Sequence, residues 1–252
     1  MSSQSSWALK VAGVLLFLGG WQALSVASET RMLPGLELIA ERLAQLLASG
    51  ELLDNAASTL LKGFAGLLIA VLLGSAAGVF CARNWVADAA LNPVVSLLYP
   101  VPKLALYPVV ILIFGLGAWS KVVQVALECF FPVFVQMYAG ARAVPRNMVW
   151  LAANNEVRQM RFARDVLLPS LLPYLLTGLR VATPIMLIVM CVTEFVGESR
   201  GLGHLIVRYS SYFDTAAAFA VVSCFGALGL IADRAIVYLR ARLVHWERGV
   251  NI

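Results

Sequence analysis

The chain has 252 residues, 61% hydrophobic and only 13% charged, whereas a soluble domain carries about 45–50% apolar and roughly a quarter charged residues. A water-soluble fold of this size would lack the charges to cover its surface, and disorder is excluded because disordered chains are poor in apolar residues. The 19 Lys+Arg against 14 Asp+Glu give +5, and in a bilayer protein the position of those charges along the chain matters more than their sum.

A helix needs about 20 mainly apolar residues to cross the hydrocarbon. The first such stretch is 11–28, after Lys10. Its Ser25-Val26-Ala27 resembles a secretory cleavage site, but the uncharged run exceeds a signal core, so it is read as a retained anchor. Over 35–55, Leu36, Ile39, Leu43, Leu46 and Leu47 recur at helical spacing between charges. That pattern predicts an amphipathic helix at the outer interface, bounded by Pro34-Gly35 and Gly50.

The second span is 63–82, with a face of small residues at Gly63, Ala65, Gly66, Ala70, Gly74, Ala77 and Gly78. Such a face lets another helix backbone come close, within the chain or across a dimer. An apolar run at 89–101 is broken by Pro93 and Pro100 and stopped by Pro102 and Lys103. It reads as the start of a third span, 104–120, or as a broken segment leading into it. The fourth span, 122–141, contains Glu128.

No apolar run long enough to cross follows in 142–166. This segment holds Arg142, Arg146, Arg158, Arg161 and Arg164 against Glu156 and Asp165. Val149, Leu151, Ala152, Val157, Met160, Phe162 and Ala163 interrupt the polar residues and predict one or two short helices with a greasy side. Pro169 and Pro173 open a fifth span, 166–193, around Arg180, since a first helical turn tolerates a missing N–H. The sixth is 215–232, before a tail carrying Arg234, Arg240, Arg242 and Arg248. The count is six, or seven if 89–101 crosses separately.

The segment between the first two spans is acidic, with Glu29, Glu37, Glu41, Glu51 and Asp54 against Arg31 and Arg42. The positive-inside rule therefore places both termini and the Arg-rich loop in the cytoplasm, and an even span count agrees. Cys81, Cys129, Cys191 and Cys224 each lie alone in apolar stretches, as small buried hydrophobes rather than ligands or a disulfide framework. No metal or other cofactor is expected.

A charge at mid-bilayer costs about 2.5–3.5 kcal/mol and asks for a reason. Lys103, Glu128, Arg180 and Glu194 are the four candidates. Each is read either as a structural ion pair or snorkelling side chain, or as part of a solute pathway. Lys103 follows two prolines, where irregular backbone at membrane depth lines a cavity. It could present positive potential to an anion or pair with Glu128. On one helix, Arg180 and Glu194 would lie ~21 Å apart, too far to pair with each other.

There is no phosphate-binding G-x-x-x-x-G-K-[ST], no H-E-x-x-H and no G-x-S-x-G, so the chain is not read as an enzyme. A stand-alone channel or secondary transporter would show matching broken helices in two halves, and none is found. A membrane scaffold without transport is the other alternative.

The loop resembles the permease motif of ATP-binding-cassette importers: Glu-Ala-Ala, three residues, Gly, nine residues, Ile, one residue, Leu-Pro. Aligned on Leu168-Pro169, Val166 takes the Ile place, Glu156 the Gly place and Trp150-Leu151-Ala152 the Glu-Ala-Ala place. The opening Glu, the first Ala and the Gly are thus replaced. The stretch from Leu98 to Gly117 with Ser120-Lys121 resembles the permeases of the nitrate/sulfonate/taurine/bicarbonate family. So do Phe130-Phe131-Pro132, Tyr138-Ala139-Gly140, the run from Leu168 to Arg180, Glu194, the Gly201–Ile206 segment and the Arg-rich end at Trp246. The resemblance spans roughly 33–246.

The resemblance implies an all-α integral membrane protein of the type I importer kind, with about six transmembrane helices and a cytoplasmic coupling helix at roughly 145–162. It implies one permease domain: an N-terminal span (1–32), an external segment (33–58), a core (59–246) with coupling loop 142–166, and a tail (247–252). Trp150, Leu151, Ala152, Glu156, Arg158, Met160, Val166, Leu168 and Pro169 would face an ATPase subunit. The implied partners are a second permease copy, cytoplasmic ATP-binding subunits and an external solute-binding protein, in a bacterial inner membrane. The implied role is passage of a small anionic solute of the sulfonate, taurine, nitrate or bicarbonate kind, with neutral heteroaromatic precursors also carried within the family. Arg180 and Glu194 match residues that the family also carries, while Lys103 and Glu128 are peculiar to this sequence.

Overall fold

The computed structural model describes residues 3–28, 32–145, 147, 148, 150, 154 and 159–246, the side chains of 3–8, 159 and 160 excepted. Among these the regular structure is helical: α1 (Ser3–Ala27), α2 (Leu36–Ala48), α3 (Glu51–Arg83), α4 (Trp85–Leu98), a 3-10 turn (Lys103–Leu106), α5 (Tyr107–Phe114) and α6 (Ala118–Ala143). Then come α7 (Gln159–Phe162), a π-helical turn (Ala163–Leu167), α8 (Leu168–Thr193), α9 (Leu202–Ser211) and α10 (Thr215–Leu243).

Among the described residues, five segments are long and apolar enough to cross a bilayer: Leu9–Ala27, Glu51–Arg83, Ala118–Ala143, Ala163–Thr193 and Thr215–Leu243. Trp85–Leu98 and Lys103–Phe114, bent by 86°, together qualify as a sixth. The 89–101 run is therefore the first limb of a broken pair, as one of its two readings expected, while 104–120 is not one helix, since α5 ends at Phe114 and α6 begins at Ala118. Pro100 and Pro102 lie at the bend, where a missing N–H and a restricted preceding residue stop the helix. Asn84 separates α3 from α4, its Oδ1 accepting from the N–H groups of Val86 and Ala87 at 3.0 and 3.2 Å, an N-cap.

Helices also run past their charge-free stretches. α3 starts twelve residues before 63, and α10 continues through Arg234 and Arg240, where a tail was expected. Uncharged runs mark what the hydrocarbon tolerates, whereas Leu, Ala, Arg and Glu carry a helix on into the interface.

The chain divides into two compact units. The first comprises Met1–Thr59 and Ser199–Gly226. In it α1 and α2 are joined by side-chain bonds: Gln22 Oε1 accepts from the Leu36 N–H at 2.9 Å, Trp21 Nε1 donates to Pro34 O at 3.1 Å and Ser25 Oγ donates to Leu33 O at 2.9 Å. Gly201 precedes α9 with no side chain to cap it. Asn55 and Thr59 supply the acceptors, taking the N–H groups of Gly201 and Leu202 at 2.7 and 2.9 Å. Arg208 and Tyr209 both bind the Glu51 carboxylate, and Arg42 pairs with Asp214 at 2.9 Å.

The second unit comprises Leu60–Glu198 and Ala227–Ile252. Its core is α6 against α8, with Val125, Cys129, Val133, Phe134, Ala182, Met186 and Met190 buried. The small-residue face of α3 is filled from within the chain. A Cβ at Gly66, Gly74 or Gly78 would meet the backbone oxygen of Val122, Phe130 or Phe134 at 2.6, 2.9 or 2.7 Å. Glycine here lets α3 and α6 approach backbone to backbone.

Candidate functional site

Four charged side chains converge at one end of the second unit. Lys62 of α3 lies 3.2 Å from Glu194, the residue closing α8, and 3.3 Å from Glu198. Lys121 of α6, wholly buried, reaches Glu198 at 2.8 Å and Gly117 O at 3.2 Å. Two ammonium groups thus face two carboxylates, so charges too costly to bury singly neutralise one another. Gly197, at φ +60°, turns the chain so that Glu198 comes back onto the lysines, a conformation that glycine adopts without strain. Burial works against the charge on Glu198, but the hydrogen bonds and fields of Lys121 and Lys62 outweigh it and hold this carboxyl below its usual value.

Sequence reasoning identified only Glu194 of these four as a membrane candidate. Lys62 and Lys121 stand directly before apolar runs and read as span boundaries. Their place at the same end as two acidic residues was the available signal.

A second site forms at the break between α4 and α5. The Lys103 ammonium donates to the carbonyls of Tyr99, Val101 and Leu98 at 3.0, 3.1 and 3.4 Å. Glu128 is 3.9 Å away, and the Phe131 ring centroid lies 4.3 Å below the ammonium. The positive charge thus caps the carbonyl end of α4, where the helix dipole favours a cation. Gln124 of α6 donates to Lys103 O at 2.9 Å, and Tyr107 donates to Thr193 O at 3.2 Å. The broken segment is therefore fastened to both core helices.

Arg180 stands apart from both groups. Its Nε donates to Asp233 of α10 at 2.7 Å, while Arg240 reaches Thr177 Oγ1 at 3.2 Å. The four intramembrane candidates thus fall in three places, and only Lys103 and Glu128 come together.

Of the expected coupling residues, Trp150 is exposed, as is Leu168, the first residue of α8. Val166 sits half-buried in the π turn and Pro169 in the first turn of α8. Leu151, Ala152, Glu156, Arg158 and the Met160 side chain lie outside the described residues. Where the loop leaves α6, Arg142 binds Asp88 at 3.0 Å and the Tyr138 hydroxyl at 2.6 Å, and Tyr138 donates to Asp88 at 2.7 Å. Among the described residues no group of three or more His, Cys, Asp or Glu could hold a metal ion.

The family described as binding-protein-dependent transport system inner membrane component matches residues 70–245. SsuC of Bacillus subtilis (strain 168), named for aliphatic sulfonates transport, is 30% identical over 90% of this chain and 83% of its own length. ThiX of Halalkalibacterium halodurans, named a formylaminopyrimidine transport permease, is 31% identical over 73% of each chain. The fold is shared with the MetNI methionine ABC transporter in an inward-facing form, at TM-score 0.67 and 17% identity over 76% of this chain and 96% of that one. The chain belongs to the binding-protein-dependent transport system inner-membrane components, as a multi-pass ABC importer permease rather than an enzyme, with ATP hydrolysis assigned to a separate subunit.

Proposed function

We propose that this chain pairs with a second copy of itself to form the pathway for a small anionic solute of the sulfonate kind. An external binding protein delivers the solute, and ATPase subunits dock at 142–166. The observation that carries this reading is the match to a sulfonate-named permease over nine-tenths of the chain. Both termini and the Arg-rich loop face the cytoplasm by the distribution of basic residues. ATP binding biases a two-state bundle through contacts made by Trp150, Leu151, Ala152, Glu156, Arg158 and Met160, which pass to α8 through Val166, Leu168 and Pro169.

Within the bundle, Lys103 and Glu128 hold the broken segment in shape beside the pathway. Glu194 and Arg180 tie α8 to its neighbours on either side. The similarity to a formylaminopyrimidine permease supports a second reading, a neutral heteroaromatic solute.

The test is reconstitution of the permease with its ATPase and binding protein in liposomes. An alkylsulfonate-loaded binding protein is expected to stimulate ATP hydrolysis several-fold over the empty one. Stimulation by a pyrimidine ligand alone selects the second reading, and no stimulation by any loaded binding protein overturns coupling.

A further inference from the structure

A cavity of about 580 Å³ opens at the Arg-rich end of the second unit, between the end of α3, the start of α4 and the end of α6. Buried Cys81 and Ala141 lie at its floor, and Arg83, Arg142, Trp85 and Asp88 line it, with Trp150 of the coupling loop. Such a volume suits a small-molecule head rather than one ion.

The lining is unevenly charged, two guanidinium groups against one carboxylate. Asp88 is engaged by Arg142 and Tyr138, and both contacts of Arg142 run through Nη1. Its remaining donors are therefore unengaged among the described residues. Arg83 has no carboxylate within ion-pair distance among the described residues and rests its guanidinium on the Phe162 ring, 5.7 Å from the centroid. Two planar forks of donors at one cavity match the tetrahedral oxygens of a phosphate better than a point charge does.

Trp85 indicates where that phosphate comes from. It is 82% exposed, a large cost in water but the usual state of an indole at headgroup depth. Basic pockets between transmembrane helices at the cytoplasmic side are where anionic headgroups bind. We propose that this cavity holds the phosphate of an anionic phospholipid headgroup, with Arg83 and Arg142 as its ligands and Trp85 as the flanking anchor.

The experiment uses the permease with its ATPase in nanodiscs of phosphatidylcholine, with and without phosphatidylglycerol, read by native mass spectrometry and thermal midpoint. The expected result is retained phosphatidylglycerol and a raised midpoint. R83Q weakens retention about five-fold, R83K, which offers a point charge in place of the fork, restores only part of it, and W85A, at an exposed position, weakens it with an unchanged midpoint in pure phosphatidylcholine. Equal retention by wild type, R83Q and W85A, or no preference for phosphatidylglycerol over phosphatidylcholine, overturns the site. Inorganic phosphate or glycerol 3-phosphate in pure phosphatidylcholine is expected to give no shift, and a full shift from either overturns the lipid as the source.

Discussion

The second unit buries two lysines, and it neutralises them by different means. Lys121 meets a full negative charge, Glu198 at 2.8 Å, within a cluster that also holds Lys62 and Glu194. Lys103 meets partial charges, three carbonyls at the end of α4, with Glu128 only at the limit of an ion pair. The first arrangement joins α3, α6 and the end of α8 through side chains. The second repairs a helix that prolines have broken. A buried ammonium can thus be sustained by a carboxylate or by a helix terminus, and the two differ in what their removal exposes.

The largest effect is expected from E198Q, which leaves the Lys121 ammonium buried without its carboxylate. Breaking a buried pair from one side costs about 3 kcal/mol, read as a lowered thermal midpoint of the purified permease in detergent. The double variant K121M/E198L is expected to regain most of that loss, because the buried charge is gone as well. If E198Q costs less than about 1 kcal/mol, the cluster is solvated and the contrast with Lys103 collapses.

K103M comes next, at about 2 kcal/mol, because hydrogen bonds from a charged donor to three carbonyls are lost while the stem is kept. A midpoint equal to wild type would show that the α4 end is satisfied without the ammonium.

Acid sharpens the comparison further. Glu198 is held below the ordinary carboxylate value of 4.5 by Lys121 and Lys62 against the opposing effect of burial. Its contribution is therefore complete above that value and is lost as pH falls through the lowered one. Wild type is expected to lose midpoint over this acid window, and E198Q to lose less. Parallel acid profiles would remove Glu198 from the account.

The smallest effect is expected from E128Q. At 3.9 Å from an ammonium already bound by carbonyls, the carboxylate contributes under about 1 kcal/mol. A larger loss would move Lys103 into the class of Lys121.

Legibility in the sequence followed the same division. Gly35 and Gly50 bracketed α2 correctly because turn chemistry is local. Pro100 and Pro102 announced the break before α5, yet the 104–120 span was read as continuous because its composition is apolar throughout. Lys62 and Lys121 were legible as charges but not as partners of Glu194 and Glu198, which lie far along the chain. The small face of α3 was recognised from its glycines, while its occupant, α6, came only from the fold.

Membrane residence, about six crossings and an Arg-rich side were determined by the sequence alone. A bilayer imposes a one-dimensional rule, about 20 uncharged residues per crossing with basic residues retained on one side, and such a rule can be read along a line. Which charges neutralise one another was decided only by tertiary structure. Each helix's rotation about its axis and its depth against its neighbours set whether an ammonium meets a carboxylate or a carbonyl. Those are fixed by packing, as where Gly66 admits the backbone of Val122, and not by any spacing within a single helix.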